Sequence, residues 1–371
     1  MPTLDTPLLL APDFKEKIWG RENLEPLYPA PDMDPGDRDP AAAAVSTESS
    51  SPGSANATFP QIGEAWLTGE QAMFLTGRVA GLTLGEVMNR WPMEICGRQC
   101  DAFPLLAKVL FTSDWLSMQV HPADEYAARH EKSRGKTEAW YFIDCQRDAE
   151  IALGLPAETT RAALEAACRE ARSLEFANRF RPKPAEVVYV PAGTLHALGP
   201  GLVLFEVSET SDVTYRLDDY GRLDATGRPR QLHLERGLET TQLDAPTHRD
   251  LPKLEFQEPF GKRRYAVACR HFALEELGLR EASKLEASKD RVECLAVISG
   301  AGRVEIEAGW LAYRPGQTWV VPAGSGAYRL VPEKPSRLLR FYVPEIERDF
   351  RQPLARRGVA PEMIRRVLFD D

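Results

Sequence analysis

A short pattern occurs twice in the chain, 131 residues apart, and this repeat restricts the possible folds more than any other feature. Each copy has a proline (position 184 or 315), an apolar run (187–190 or 318–321) and then Pro-Ala-Gly (191–193 or 322–324). The pattern predicts a turn, a strand and a second tight turn. Self-similarity at an unbroken spacing indicates duplication. The sequence therefore predicts two related β-barrels in tandem.

The remaining periodicity predicts a mainly β chain with a few helices. Short apolar runs bounded by turn residues lie at 105–111, 139–143, 150–153, 186–190 and 203–207. A Thr-x-x-Glu capping box at Thr83 and Glu86 predicts a helix over 83–89. Apolar residues on one face predict a second helix over 160–174, and a third is expected near 361–368.

Composition divides the chain into five segments. Residues 29–58 are rich in Pro, Ala, Ser and Gly and predict a flexible insertion within a core that begins before it. Residues 1–28 are expected to form the N-terminal part of that core. Residues 59–250 form the predicted metal-binding catalytic domain, residues 251–345 a degenerate second barrel, and residues 346–371 a C-terminal tail.

Charge and cysteine usage exclude several classes of partner and location. The formal net charge of −9 and the pI near 5.4 disfavour binding to nucleic acid or to an anionic membrane. The N-terminal region has only a three-leucine run at 8–10, too short for a signal peptide or a membrane span. Six scattered cysteines are typical of a reduced compartment. We expect a cytoplasmic protein, monomeric or homodimeric.

Four residues form a candidate metal site. Gln119 and His121 are two positions apart on a predicted strand and so share a face. Glu138 opens the next strand, and His196 follows the first Pro-x-Gly turn. Two imidazoles, a carboxylate and an amide oxygen suit Zn²⁺, Mn²⁺, Fe²⁺ or Co²⁺ and leave coordination positions open for a substrate.

Four ordered motifs resemble those of type I phosphomannose isomerases, particularly the shorter bacterial form. They are Gln-Val-His-Pro at 119–122, Gly-Lys-Thr-Glu at 135–138, Pro-Ala-Gly-Thr-Leu-His-Ala at 191–197 and Asp-Val-Thr-Tyr-Arg at 212–216. The resemblance runs from about residue 15 to residue 342. It implies tandem cupin (jelly-roll) barrels and a zinc-dependent aldose–ketose isomerase. It also implies that Gln119, His121, Glu138 and His196 are metal ligands, and that Lys136, Asp212 and Arg216 are active-site residues.

Interconversion of mannose 6-phosphate and fructose 6-phosphate requires a metal, a base and a phosphate site. Either Asp212 or Lys136 could carry the proton through an enediolate, and the sequence leaves both open. Arg216, Lys136 or Arg222 could bind the phosphate, with Ser117 as a hydroxyl contact. Alternatively, Asp212 and Arg216 could form a surface ion pair.

The second barrel carries Ala327 where the first carries His196, so we expect one divalent metal per chain, Zn²⁺ by the resemblance. Its histidine, His271, has no suitable partner nearby in the sequence, and we expect this barrel only to cover the first. Two other functions stay open: a cupin isomerase for another aldose or aldose phosphate, and a non-catalytic cupin that binds a sugar phosphate. A cupin dioxygenase fits less well, because such sites favour more imidazoles.

Overall fold

The computed structural model describes residues 4–28, 60–224 and 226–369. The predicted insertion at 29–58 lies outside these ranges. The strands are Leu8–Ala11 (β1), Asp13–Arg21 (β2), Ile62–Trp66 (β3), Met73–Phe74 (β4), Leu105–Phe111 (β5), Met118–Val120 (β6), Glu138–Cys145 (β7), Ile151–Leu153 (β8), Arg179–Phe180 (β9), Val187–Val190 (β10), His196–Leu198 (β11), Leu202–Glu209 (β12), Tyr215–Asp218 (β13), Leu254–Glu258 (β14), Gly261–Ala268 (β15), Ala273–Leu279 (β16), Ser283–Glu286 (β17), Glu293–Ile306 (β18), Gly309–Tyr313 (β19), Thr318–Val321 (β20) and Ala327–Tyr342 (β21).

Short helices decorate the sheets. The α-helices are Leu84–Arg90 (α1), Pro92–Cys96 (α2), Asp124–Glu131 (α3), Arg161–Arg169 (α4), Ser173–Phe176 (α5), Leu234–Thr240 (α6), Gln352–Arg356 (α7) and Pro361–Ile364 (α8), with a 3₁₀ turn at Gly77–Val79 and a π turn at Glu347–Arg351. Within the described ranges, no helix is both long enough and apolar enough to span a membrane.

The predicted helices are present, and the structure adjusts their ends. The capping box before α1 forms as expected, with Thr83 Oγ1 accepting the Glu86 amide hydrogen and the Glu86 carboxylate accepting that of Thr83. The helix predicted over 160–174 is divided into α4 and α5, because Ala171 adopts a positive φ of 55° that no continuous helix allows. The third is confined to the single turn α8.

Two antiparallel sheets enclose the N-terminal barrel. One has the strand order β10-β7-β12-β5-β3-β2 and the other β13-β6-β11-β8-β9. Side chains such as Trp140, Phe142 and Leu204 from the first sheet pack against Ile151 and Leu153 from the second. This interior contains the candidate site.

The first of these sheets is buried on both faces, because its outer face packs against the C-terminal barrel. Tyr141, Phe205 and Val207 on that face join Leu339 and Phe341 from β21 in one apolar cluster. Burial on two faces explains why β5 and β12 are nearly continuous apolar runs rather than alternating ones.

The C-terminal half is a ten-stranded sheet with the main order β14-β15-β16-β21-β18-β20-β1-β4, while β17 pairs with β21 and β19 with β18. Two of its strands, β1 and β4, come from the N-terminal half of the chain. The segment after residue 345, which the sequence assigned to a tail, packs through Phe350, Leu354 and Ile364 against Tyr265 and its neighbours. Elements from both ends of the chain therefore complete this barrel.

The sequence repeat corresponds to equivalent structure. Strand β10 pairs with β7 in the first barrel, and β20 pairs with β18 in the second, so β10 and β20 occupy matching positions. Gly193 and Gly324, in the turns that follow, have φ values of 87° and 75°, in the left-handed region that favours glycine. The two turns lead directly into β11 and β21, so His196 and Ala327 occupy equivalent places.

Candidate active site

The N-terminal barrel contains a cavity of about 280 Å³, with walls from both of its sheets. Charged side chains line it although the surrounding barrel is apolar. They are Lys17, Lys108, Lys136, Arg216, Arg230, Glu64, Glu138, Glu206 and Asp212. A concave site with convergent charges inside an apolar shell is the usual setting for a polar ligand.

Strand pairing brings the predicted metal ligands together. In the β6–β11 ladder His196 lies directly opposite Gln119, and His121 follows β6 by one residue. Glu138 is the first residue of β7. Donor atoms of His121, Glu138 and His196 all lie within 4.8 Å of one another.

Backbone carbonyl groups fix the orientation of both imidazoles. His121 Nδ1 donates to the carbonyl oxygen of Val213 at 2.8 Å, and His196 Nδ1 donates to that of Thr194 at 2.9 Å. A carbonyl oxygen only accepts, so each Nδ1 carries the hydrogen and each Nε2 keeps its lone pair. Both Nε2 atoms lie 3.5 Å from an oxygen of Glu138.

Burial sets the charges of these groups. His121 is 2% exposed, and both His196 and Glu138 are 1% exposed. Burial, followed by the positive charge of Lys136, holds the pKa of His121 well below its ordinary value, and burial also lowers the pKa of His196. Burial alone would raise the pKa of Glu138, but Lys136 and the two imidazoles bring it below its usual range. The cluster therefore consists of two neutral imidazoles and one carboxylate.

This donor set fits a divalent cation. Each imidazole lone pair lies 3.5 Å from a carboxylate oxygen, so the three residues direct electron density toward a shared region that would attract a divalent cation. The donors now closest to these lone pairs are the Gln119 amide, 3.2 Å from His196 Nε2, and the Lys136 ammonium, 3.5 Å from His121 Nε2. Two imidazole nitrogens and a carboxylate are ligands that Zn²⁺ and similar metals accept, and a carbonyl on the distal nitrogen is the usual support for such an imidazole.

Gln119 lies where it can complete the set. Its amide nitrogen is 3.2 Å from His196 Nε2, and Ser117 Oγ donates to its Oε1 at 3.4 Å. Rotation of the amide by half a turn would direct Oε1 toward the same point as the other donors. The structure thus brings together all four residues that the sequence proposed as ligands.

Lys136 is fixed between two buried carboxylates. Its Nζ lies 2.6 Å from Glu138 Oε2 and 2.8 Å from Glu206 Oε1. Burial alone would lower the pKa of Lys136, but Glu138 and Glu206 raise it above its ordinary value. Burial and the charge of Glu138 raise the pKa of Glu206 to about 7, against the opposing effect of Lys136.

Asp212 pairs with a lysine rather than with Arg216. Lys108 Nζ lies 2.5 Å from Asp212 Oδ1 and 4.3 Å from the centre of the Trp66 ring. Burial alone would raise the pKa of Asp212, but Lys108 and then Lys136 lower it below its ordinary value. The ion pair between Asp212 and Arg216, considered from the sequence, does not form, because Asp212 precedes β13 instead of lying on it.

Two arginines also line the cavity. Arg216 is opposite Gln119 in the β13–β6 ladder, its NH1 donates to the Gln231 carbonyl, and its buried Nε has no hydrogen-bond partner. Arg230 donates through Nε and NH2 to the carboxylate of Asp219. Burial and then the charge of Arg230 lower the pKa of Arg216, so positive charge is concentrated here.

Arg222 does not line the cavity, unlike Arg216, Lys136, Asp212 and Ser117, whereas His121 lies next to the lining residues Glu138 and His196. The Arg222 guanidinium binds Asp219 at 2.7 Å, Asp114 at 3.0 Å and the carbonyl of Trp115. These contacts direct it along the outside of the 219–222 turn. Arg230, which the sequence analysis did not select, lines the cavity in its place.

Comparison with known proteins shows which family the chain is similar to. Residues 37–160 match a model of the catalytic domain of type I phosphomannose isomerase. Mannose-6-phosphate isomerase ManA of Bacillus subtilis is 34% identical over 330 residues, which cover 87% of this chain and 95% of that protein. The mannose-6-phosphate isomerase of Streptococcus mutans is 30% identical over 246 residues, 66% of this chain and 77% of its own.

The chain belongs to the type I mannose-6-phosphate isomerase family. The crystal structure of the Bacillus subtilis mannose 6-phosphate isomerase superposes with a TM-score of 0.77 at 27% sequence identity, covering 91% of this chain and 99% of that one. Both the family and the tandem cupin fold expected from the four motifs are confirmed.

The sequence analysis missed two buried charged residues that line the cavity, Lys108 and Glu206. Each is the single charged residue inside an apolar strand segment, Lys108 within 105–111 and Glu206 within 202–207. A lone charge in a strand buried on both faces must have a buried partner, since an unpaired one would be expensive to desolvate. That pattern was visible in the sequence and could have identified both.

The strand register also shows how the second barrel of the chain differs from the first. Val190 pairs with Glu138 in the first barrel as Val321 pairs with Glu293 in the second. The same ladders place Arg340 where the first barrel has Glu206. Arg340 Nε and NH2 donate to both oxygens of Glu293, at 3.0 Å and 2.7 Å. A guanidinium thus neutralises the carboxylate that corresponds to the metal-site glutamate.

Lys108→Met should destabilise the fold by about 3 kcal/mol, because it removes the buried ammonium that pairs with Asp212 and leaves the buried Glu64 with Lys17 alone. Chemical denaturation of the metal-free protein measures the change. Lys15→Met is the matched control: Lys15 contacts Asp13 and the face of Trp66 but is only partly buried, so its loss should cost under about 1 kcal/mol. Equal effects of the two substitutions would contradict the assignment of Lys108 to a buried network.

Proposed function

We propose that the chain is a metal-dependent mannose-6-phosphate isomerase that interconverts mannose 6-phosphate and fructose 6-phosphate. The observation that carries the proposal is the convergence of two neutral imidazoles and a buried carboxylate beside a cavity that two arginines also line. The relatives named above support the choice of substrate. The metal ligands suit the reacting carbonyl and the two arginines suit the phosphate.

We propose Zn²⁺ as the metal, one ion per chain, held by His121, Glu138, His196 and Gln119. When bound, it would polarise the carbonyl group of the sugar and stabilise negative charge on its oxygen. The pairing of Arg340 with Glu293 supports a single ion, because the corresponding carboxylate of the second barrel already has its charge neutralised.

Asp212 is the proposed base, and Lys136 is not. Lys136 has two carboxylate partners that keep its proton in place, whereas Asp212 lines the cavity as an ionised carboxylate with its side chain half exposed. Asp212 takes the proton from C2 of mannose 6-phosphate, and a proton is delivered to C1 of the resulting enediolate. A proton also passes from O2 to O1, so the aldehyde becomes a hydroxymethyl group and C2 becomes a ketone. Lys136 then serves as a fixed positive charge beside the reacting oxygens.

The phosphate group is proposed to bind between Arg216 and Arg230. Arg216 has a buried Nε without a partner, and Arg230 uses only one edge of its guanidinium for Asp219. A dianion between them would satisfy free N–H groups and relieve their mutual repulsion. Ser117 lines the same cavity and is the proposed hydroxyl contact.

A cytoplasmic location is proposed from the composition and cysteine usage of the sequence. Isomerisation of another aldose phosphate is the main competing activity, since it would use the same metal site, and a non-catalytic sugar-phosphate-binding protein is the alternative outside enzymes. Asp212 favours catalysis, because a binding protein needs no base.

The purified protein should convert mannose 6-phosphate to fructose 6-phosphate in a coupled assay, lose the activity on chelation with EDTA and regain it with Zn²⁺. Glucose 6-phosphate, ribose 5-phosphate and free mannose provide the comparison panel. Faster conversion of another sugar would replace the proposed substrate. Binding without turnover of any sugar would favour the non-catalytic alternative.

Arg230→Met should raise the KM for mannose 6-phosphate at least about tenfold, since it removes a charge-assisted hydrogen bond to the phosphate. Its effect on bound zinc should be small. Arg222→Met is the matched control because Arg222 shares the partner Asp219 but lies outside the cavity. We expect it to change KM less than about twofold by the same reasoning. A larger effect at Arg222 than at Arg230 would favour Arg222 as the phosphate-binding residue.

Turnover in deuterated water should place deuterium at C1 of fructose 6-phosphate, because a proton held by a carboxylate can exchange with solvent. NMR of the product detects the label. Asp212→Asn should lower kcat about a hundredfold or more, while Asp114→Asn, which lies outside the cavity beside Arg222, should not. Absence of label together with a near-normal rate for Asp212→Asn would refute the proton-transfer route and leave a hydride shift.

A further inference from the structure

A hydrogen-bonded chain connects the C-terminal barrel to the metal site. His271 lies in the turn between β15 and β16, and its Nδ1 is 2.9 Å from Glu209 Oε2 at the end of β12. The other oxygen of Glu209 accepts the amide hydrogen of Thr137 at 3.1 Å. His271 has no suitable partner nearby in the sequence, as expected. Its partner Glu209 is 62 residues away and becomes adjacent only when the two barrels pack.

Thr137 stands between the two residues whose positions matter most for the cavity, Lys136 and Glu138. Extended backbone directs those two side chains to one face, where their charged ends lie 2.6 Å apart. The side chain of Thr137 points the other way, and its Oγ1 accepts the amide hydrogen of Ala192. A shift of the Thr137 amide would therefore move the proposed metal ligand Glu138 and the ammonium group of Lys136 together.

The 132–137 connection has other supports besides the Glu209 carboxylate, which links it to the C-terminal barrel through His271. The Lys136 amide donates to the Pro122 carbonyl at 3.0 Å, Ser211 Oγ donates to the Arg134 carbonyl at 2.9 Å, and the Gly135 amide donates to Asp124 Oδ1 at 2.9 Å. Glu209 is only 4% exposed, so its carboxylate depends on protein donors. His271 supplies one of these donors from the other barrel.

Asp124, Glu209 and His271 are also close enough to suggest a second metal site. Their donor atoms already have partners: Arg270 Nε donates to His271 Nε2 at 2.8 Å, and backbone amides occupy the carboxylates. His271 is held at both ring nitrogens, which suits a supporting group better than a ligand.

We infer that His271 is a positioning residue for the metal site, acting through Glu209 on the backbone between Lys136 and Glu138. The second barrel then contributes to the active site as well as covering it. Groups that support metal ligands from behind typically affect metal affinity or activity by tenfold or more. The activity part of this inference rests on the proposed function, whereas the metal-affinity part does not.

The test compares three variants of the full-length protein. His271→Phe keeps the ring volume but removes the donor, His271→Asn keeps an N–H near the position of Nδ1, and His130→Ala changes an exposed histidine on α3. Zn²⁺ affinity is measured by competition with a chromogenic chelator, and amide hydrogen exchange of the 132–138 segment is followed in the metal-free proteins. Kinetics with mannose 6-phosphate are a third readout.

His271→Phe should weaken Zn²⁺ binding about tenfold and accelerate exchange in the 132–138 segment, with kcat falling more than KM changes. His271→Asn should recover most of the affinity and the protection, and His130→Ala should match wild type. Wild-type zinc affinity and exchange in His271→Phe would overturn the inference, as would lowered thermal stability without either change. If wild type binds zinc but does not isomerise sugars, the proposed function fails. Zinc affinity and amide hydrogen exchange still decide the role of His271 in that case.

Discussion

Two uncharged imidazoles and one carboxylate lie in contact in the buried interior of the N-terminal barrel, and the arrangement of the candidate site depends on this contact. Carbonyl groups of Val213 and Thr194 hold the histidine rings so that both Nε2 lone pairs face Glu138. The Gln119 amide and the Lys136 ammonium are the nearest donors to these lone pairs and to the carboxylate. The barrel holds the three residues in place through a sheet that is packed on both faces. Strand register therefore determines the arrangement of the candidate metal site.

The two barrels neutralise equivalent buried carboxylates in different ways. In the first, Glu138 has Lys136 on one side and neutral imidazoles on the other, an arrangement that leaves room for a divalent ion. In the second, Arg340 donates to both oxygens of Glu293, and Arg291 donates to one of them. The charge of this carboxylate is therefore neutralised by protein groups, and removing either partner alone would be costly. Duplication thus produced one barrel suited to chemistry and one suited to support.

Much of this arrangement could be predicted from the sequence, because it depends on local spacing. The repeat defined the tandem barrels, and strand periodicity placed Gln119 and His121 on one face. The capping box before α1 required only Thr83 and Glu86. The four motifs, each within a few residues, carried the family resemblance.

What could not be predicted depends on contacts between distant segments. Arg222 and Arg230 are both basic residues near β13, and only the folded turn shows that Asp219 directs the first outward and the second toward the cavity. The link from His271 to Glu209 exists only because the barrels pack. Lys108 and Glu206 are an intermediate case, since a charge in an apolar strand indicates a buried partner without naming it.

Anomalous diffraction at the zinc edge from crystals of the zinc-loaded protein tests the single metal site most directly. We expect one strong peak per chain at about 2.0–2.2 Å from Nε2 of His121, Nε2 of His196 and an oxygen of Glu138, with Gln119 turned to offer its Oε1. No corresponding peak should lie beside Glu293. A barrel without zinc at the histidines, or an equally occupied ion in the second barrel, would contradict the claim that the buried lone pairs of the first barrel form the single metal site.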